Sequence, residues 1–294
     1  MSWLARQKFL GDDSEKAFKR LKVGIIGLGG AGSHIAQQLA HIGIGNFVLV
    51  DPQCIEDTNL NRLVGGTWKD VENETPKVDI AERVIRGVQP DAKVTKHRKR
   101  WQEAADDLKS CDVTIGGLDQ VRDKDELEGF CRRFMIPYID IGMDVHASDK
   151  GYFIGGQVIL SLPGTPCLRC YSVVTQAKIE EEARNYGDAG PKPQVVWPNG
   201  ILAATAVGLT LQLVSPWHPS PVESEYLQYD GNNGTMTRSA IWLAMQGRTC
   251  PHHSLAETGD PSFDLRKMLN TAANSAPPRA SRFRFWNWFI GLFG

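Results

Sequence analysis

What this chain lacks narrows its function before any motif is read. It has no surplus of charge: 33 Lys and Arg stand against 34 Asp and Glu, for a net charge of −1. That balance offers no electrostatic footprint for nucleic acid or for a strongly acidic partner. The opening "MSWLARQKFLGDDSEKAFKRLK" has no apolar h-region, so no secretory signal is read there. No run reaches the roughly eighteen apolar residues of a spanning helix, and there is no internal repeat. A cytoplasmic location is therefore expected. Cysteine is scarce at six residues, and in a reducing compartment close Cys spacings favour metal over disulfide.

What is present is an alternation of strands and helices. "KVGIIG", "NFVLVD", "AKVTKH", "CDVTIGG" and "PYIDIG" read as strands, most of them buried. Between them, "SHIAQQLAHIGI", "PKVDIAERVIRGV", "QEAADDL" and "KDELEGFCRRF" carry helical apolar spacing, with Pro76 in a first-turn position. The succession implies an α/β fold, a Rossmann-like mostly parallel sheet with helices on both faces. From about residue 151 the pattern changes to antiparallel strands, "GGQVILSL", "ESEYLQYDG" and "TMTRSAIWL", interrupted by the apolar helix "GILAATAVGLTLQLV". One domain is expected over 1–256, followed by a loose linker at 257–281 and an aromatic-rich tail at 282–294. The tail is read first as packing on its own domain or dimer mate; partner docking and membrane contact are the alternatives.

The stretch "GIIGLGGAGSHIA" carries the first chemistry. Gly27, Gly29 and Gly32 fit G-x-G-x-x-G, with Gly30 inside the same loop, and Asp51 follows about twenty residues on. Glycines let the backbone approach phosphate, the helix N-terminus favours its charge, and the acid suits ribose hydroxyls. Alone, this loop fits a dehydrogenase equally well. The cations that follow argue otherwise. Arg62 lies in "DPQCIEDTNLNRL", Lys77 in "TPKVDIA" and Asp119 in "GGLDQ", each after a successive strand. Two cations converging on a triphosphate, and one carboxylate placed for Mg²⁺, suit attack at phosphorus better than hydride transfer.

The ordered set "GLGGAGS", "LVDPQCIEDTNLNR", "TPKV", "GLDQ", "GGQVILSLPGTPCLRC" and "CPHH" resembles the family of ubiquitin-activating-type adenylyltransferases, which includes the molybdopterin-synthase and thiamine-pathway sulfur-carrier adenylyltransferases. The resemblance implies that ATP and Mg²⁺ are used to adenylate the C-terminal glycine of a ubiquitin-like or sulfur-carrier protein. It implies Asp51 on the ribose, Asn59, Arg62 and Lys77 on the phosphates, and Asp119 on the metal. "ARQKFLG" resembles the family's opening, which implies that Arg6 reaches a partner subunit's site in a homodimer, or in a heterodimer with a similar chain. A conjugating or sulfur-transfer protein would then accept the acyl group. Two departures stand out: "DQVRDK" replaces D-N-x-x-x-R, and Leu63 ends a motif that usually ends in Gln. The alternatives are adenylation of a short peptide or small acid, and a non-catalytic nucleotide-binding subunit.

Metal is the second signal. Cys167 and Cys170 form C-x-x-C, and Cys250 and His253 form C-x-x-H, a Cys₃His set suited to structural Zn²⁺. His252 is adjacent, but the two-residue spacing favours His253. Thioester-forming members of the resembled family carry a nucleophilic cysteine after the knuckle. Here residues 171–200 contain none, so adenylation without covalent capture is expected. Cys111 and Cys131 read as core, and Cys54 as a weak candidate nucleophile.

Overall fold

In the computed structural model, which describes residues 2–149, 151–184, 193–215, 217–220, 223–253 and 258–259, the strands join in one eight-stranded sheet. A 3-10 helix, Ala5–Leu10, and α1 (Ser14–Arg20) precede the repeating part. There follow β1 (Lys22–Ile26), α2 (Gly30–Ile42), β2 (Asn46–Val50), α3 (Trp68–Glu72), α4 (Lys77–Val88) and β3 (Lys93–His97). After them come α5 (Ala105–Leu108), β4 (Val113–Gly116) and α6 (Val121–Arg133). The second half holds β5 (Tyr138–Ser148), β6 (Gly151–Ser161), α7 (Gln176–Arg184), α8 (Val196–Val214), β7 (Glu225–Asp230), β8 (Thr235–Arg238) and α9 (Ala240–Met245).

The sheet order is β3-β2-β1-β4-β5-β6-β7-β8. Pairing is parallel from β3 through β5 and antiparallel from β5 to β8. β1, β2 and β4 are buried almost throughout without alternation because both faces are covered, whereas β3 (KVTKH) lies at the exposed edge of the sheet. Ile25 and Leu49 enter one core layer with Ile35 and Leu39 of α2 and Leu202 and Ala206 of α8. Their neighbours Ile26, Val48 and Val50 enter the other, with Leu108, Leu127 and Cys131. Each such buried aliphatic contributes about 1.5–3 kcal/mol, so a one-residue slip of β1 would be costly on both faces. Helix α2 ends where Gly43 takes a left-handed conformation (φ 99°) and its N–H reaches the Ala40 and Leu39 carbonyls.

The crossover from β1 to β2 runs one way along the sheet and that from β3 to β4 runs back to the other side of β1. The carboxyl ends of β1 and β4 therefore form a topological switch point, where open α/β sheets bind ligands. Helix α8 spans 19 residues and is apolar and long enough to cross a membrane by length and composition alone, which the sequence reading did not find. Its Leu202, Ala203 and Ala206 are buried against the first core layer, as in a core helix. It also starts earlier than the apolar run, at Val196, because Pro198 is compatible with a first turn.

"TMTRSAIWL" is not one strand. β8 ends at Arg238, and Ser239 caps α9, its hydroxyl accepting from the Ile241 N–H at 3.3 Å. Serine at this position competes for the backbone and turns a strand-like apolar run into a helix start. The linker and tail segments expected at 257–281 and 282–294 lie almost wholly outside the described residues, apart from residues 258–259.

Candidate active site

A cavity of about 640 Å³ opens at the switch point. Its walls bring together most of the residues singled out in the sequence: Gly27, Gly29, Gly30, Asp51, Asn59, Arg62, Lys77 and Asp119.

The glycine loop is shaped by contact as much as by ligand space. Gly27 has φ 82°, and a Cβ there would meet the Gly117 carbonyl at 2.5 Å. This locks the ends of β1 and β4 together, and the Gly117 N–H donates to the Ile26 carbonyl at 2.8 Å. At Gly29 a Cβ would meet nothing within 4 Å, so this glycine faces open space and leaves the backbone approachable. Gly30 is held against the Asn199 side chain, 2.6 Å from a hypothetical Cβ. Gly32, expected to bind the cofactor, does not line the cavity. It is buried, and a Cβ there would lie 1.9 Å from the Gly27 carbonyl. Its role is to let α2 close onto the loop, the packing function of the third glycine.

Asp51 is 4% exposed and fixes the loop from beneath. One carboxylate oxygen accepts the Leu28 N–H at 2.7 Å and the other the Gln53 N–H at 2.8 Å. Each oxygen keeps a second lone pair, so the same group can still receive a ribose hydroxyl. Asn59 ends a 3-10 turn, Asp57–Asn59, and its amide oxygen accepts the Glu56 N–H. That leaves its NH₂ as the donor for a ligand.

The two cations are held without carboxylate partners among the described residues. Arg62 donates to the Thr58 carbonyl at 2.7 Å and to the Asn61 amide oxygen at 2.9 Å. Lys77 is the first residue of α4 and only 7% exposed, with its ammonium on the Gln53 amide oxygen at 2.7 Å. Asp119 lies exposed on the loop after β4, with Asp123 and Asp144 also on the cavity wall. The Asp119 carboxylate is of the kind that suits Mg²⁺, which takes one or two carboxylates and completes its shell with phosphates and water.

Lys124, which replaces the usual Arg, turns inward. Its three N–H donors are filled by both oxygens of Asp140, at 2.8 and 2.9 Å, and by the Ile141 carbonyl at 2.8 Å. The Tyr138 hydroxyl adds a bond to the same carboxylate. Lys124 is therefore a clamp between α6 and β5 rather than a free cation in the cavity. Arg6 is exposed on the 3-10 helix and does not line the cavity of its own chain.

Several participants escaped the sequence reading. Gln53 holds Lys77, and the Ser33 hydroxyl bridges the Gly30 carbonyl and the Val64 N–H. Asn199 brings the start of α8 to the glycine loop; a buried polar residue inside "WPNGILAA" was the available signal. Lys99 and Arg100 also line the cavity, at the end of a basic run that composition alone averages away.

The second cluster has the donor chemistry of a metal site. Cys167, Cys170, Cys250 and His252 place their ligand atoms within 4.8 Å of one another. The measured edges are 3.6 Å (Cys167 to Cys170), 3.7 Å (Cys170 to Cys250), and 3.5 and 3.4 Å from His252 Nδ1 to Cys167 and Cys170. A tetrahedron with Zn–S about 2.3 Å and Zn–N about 2.0 Å has edges of roughly 3.5–3.8 Å, so the residues fit the ion. The expected His253 is displaced by His252. Its Nε2 instead faces Glu128 at 3.9 Å. Burial pushes the Cys167 thiol up, so a thiolate there needs a cation.

The knuckle is pinned to α6. Glu128 accepts from the Leu168 N–H at 3.1 Å and the Ser161 hydroxyl at 2.5 Å, while Arg132 donates to the Thr165 and Pro166 carbonyls. Outside, Arg169 makes a bidentate pair with Asp125 at 2.7 Å. Lys124, Glu128 and Arg132 thus form a buried charged row at i, i+4 and i+8, running from the cavity to the knuckle.

Comparison with known proteins accords with this geometry. The ThiF family profile matches residues 4–251. The sulfur carrier protein ThiS adenylyltransferase of Escherichia coli K12 is 30% identical over 207 residues, covering 68% of this chain and 77% of that protein. The SAMP-activating enzyme E1 of Haloferax volcanii is 30% identical over 163 residues, 55% of this chain and 57% of the relative. Among solved structures, E. coli MccB with ATP superposes with a TM-score of 0.61 at 22% identity, over 78% of this chain and 66% of that one; this likeness speaks to the fold. The chain belongs to the ThiF family, the family of its named adenylyltransferase relatives.

Proposed function

We propose that the protein adenylates the C-terminal carboxylate of a ubiquitin-like or sulfur-carrier protein at the expense of ATP. The observation that carries this reading is the pair of carboxylate-free cations, Arg62 and Lys77, converging with Asn59, Asp119 and the open face of Gly29 on one cavity. Asp51 orients the ribose, Arg62, Lys77 and the Asn59 amide hold the phosphates, and Asp119 holds Mg²⁺. A carboxylate oxygen of the carrier attacks the α-phosphorus and forms the acyl–phosphate bond. The bond from that phosphorus to the α–β bridging oxygen breaks, and its electron pair leaves on pyrophosphate. The cations neutralise charge that grows on the leaving group, which is where fixed charges accelerate such transfers. Zn²⁺, held by Cys167, Cys170, Cys250 and His252, supplies structure only, since four protein ligands leave no open position. A homodimer in which Arg6 completes the partner's phosphate site, in the cytoplasm, belongs to the same reading.

Asp119→Ala is expected to abolish carrier-dependent ATP–pyrophosphate exchange, by about 100-fold or more, without lowering the melting temperature. Exchange retained at saturating Mg²⁺ would remove Asp119 from the site. A panel of small glycine-terminated proteins tests the carrier. Exchange supported only by a short peptide or small acid would favour the second reading.

No covalent intermediate on this chain is expected. Cys131 is buried with its thiol pushed up by burial, and burial raises Cys111 to about 12. Neither is available as a thiolate near neutral pH. Cys54 accepts a hydrogen bond from Arg98 at 3.1 Å and does not line the cavity. Denaturing electrophoresis without reductant, after incubation with carrier and Mg-ATP, should show no adduct. A reductant-sensitive band would point to Cys54, and one that survives reductant but yields to hydroxylamine to Ser172 or Thr175.

A further inference from the structure

Helix α6 carries the active site at its N-terminus but has no cap of its own. Its N-cap residue is Gln120, whose side chain makes no capping bond. Asn would cap well here; Gln, one methylene longer, is not among the preferred caps. Yet the Val121 N–H donates to Glu182 Oε1 at 3.0 Å and the Arg122 N–H to Glu182 Oε2 at 3.2 Å. The carboxylate comes from α7, 60 and 61 positions along the chain. Helix α7 is seated by Ile179, three residues before Glu182 on the same face, which packs in the core layer that also holds Leu118 and Val121. One turn of α7 thus provides both an apolar anchor beside the Asp119 loop and the missing cap.

The loop held this way is short and committed at both ends. Gly117 is tied to Ile26 at the start. Asp119 and Gln120 follow on the cavity wall, and Asp123 and Lys124 continue it in the first turn of α6. Removing the cap frees two helix N-terminal donors, one of them part-buried, and unpins the helical end of this loop. It also removes an anion from the positive end of the helix, a few residues from Asp119.

We propose that Glu182 is a positioning residue for the magnesium site, setting Asp119 by capping α6 from the segment between the knuckle and α8. The idea rests on the reading of Asp119 as the Mg²⁺ carboxylate. Glu182 does not itself touch nucleotide or metal; it is absent from the residues lining the cavity. At Gln120, the first of the two "DQVRDK" departures, the distant carboxylate provides the capping that the local side chain does not.

The test is binding of a non-hydrolysable ATP analogue to the full chain by calorimetry, across a range of Mg²⁺, for wild type, Glu182→Ala and Glu182→Gln. In Glu182→Ala the metal-free affinity should stay within about twofold, while the Mg²⁺ needed for half-maximal tightening rises about 5- to 20-fold. Glu182→Gln, which keeps the shape and one of the two acceptor oxygens but not the charge, should fall between, and it carries the test if the alanine variant does not fold. Equal weakening with and without Mg²⁺ would show general loosening and overturn the proposal, as would an unchanged Mg²⁺ requirement. Amide exchange separates this from the underlying reading. Unprotected Val121 and Arg122 amides in the wild type overturn the clamp alone. A wild type whose analogue binding ignores Mg²⁺ overturns the metal role of Asp119.

Discussion

Replacing Lys77 with methionine is expected to lower ATP–pyrophosphate exchange about 100- to 1000-fold while leaving the melting temperature unchanged or higher. The argument starts from its awkward position. An ammonium at the first residue of a helix meets the positive end of the dipole, where a carboxylate would be favoured by about 0.3–1 kcal/mol. It is also nearly buried, and removing an ion from water costs several kcal/mol unless a counter-charge is present. Here the partner is one amide oxygen, from Gln53. By contrast, Lys124, the other buried lysine among the described residues, is fully matched by Asp140 and a carbonyl. A fold that needed only stability would not keep Lys77; a site that awaits phosphate would. Methionine keeps the length and apolar volume, so the isolated effect is the charge. Thermal melting and exchange measured side by side decide it. A variant that loses stability but keeps activity would make Lys77 structural and leave Arg62 as the main phosphate ligand.

This contrast between two lysines also marks what the sequence could and could not disclose. The nucleotide half was legible because its signals are local. Short apolar strands, glycine turns and helix starts lie next to one another in the chain; Gly27, Asp51 and Asp119 each follow a strand end, and Lys77 opens α4. Parallel strands then bring those ends to one side of the sheet whatever the details. Glycines were overread: Gly32 shares the motif with Gly29, yet one packs against a carbonyl and the other faces a cavity. Spacing cannot separate these, because a glycine reads the same whether a carbonyl or open space stands where its Cβ would be. Lys124 is a similar case. Its pairing with Asp140 depends on how α6 lies over β5, a tertiary contact without a sequence period. The cap from Glu182 is farther still from local pattern, joining residues about sixty positions apart. "TMTRSAIWL" failed for the opposite reason, since one serine outweighed an apolar, strand-like run.

The histidine assignment at the knuckle yields the second large effect. His252→Ala is expected to lose bound zinc and to lower the melting temperature by about 10 °C, whereas His253→Ala keeps the metal. Counting residues favoured His253, because C-x-x-H mirrors C-x-x-C. The side chains differ in reach, however. After Cys250 the chain bends at Pro251, and the imidazole of the very next residue already puts Nδ1 within 3.5 Å of two sulfurs. His253 then passes to the inner side, toward Glu128. The effect on stability is large because the ion joins Cys170 to Cys250, closing an 80-position loop that holds α7, α8, β7 and β8. Closing a loop of that length offsets several kcal/mol of chain entropy. Glu128 and Arg132 carry the same tether into α6, so loss of zinc should be felt as cooperative unfolding rather than local fraying. Metal analysis of protein prepared without chelator, with melting curves for both variants, tests this directly. Zinc retained in His252→Ala and lost in His253→Ala would reverse the assignment, and zinc absent from the wild type would end the Cys₃His reading altogether.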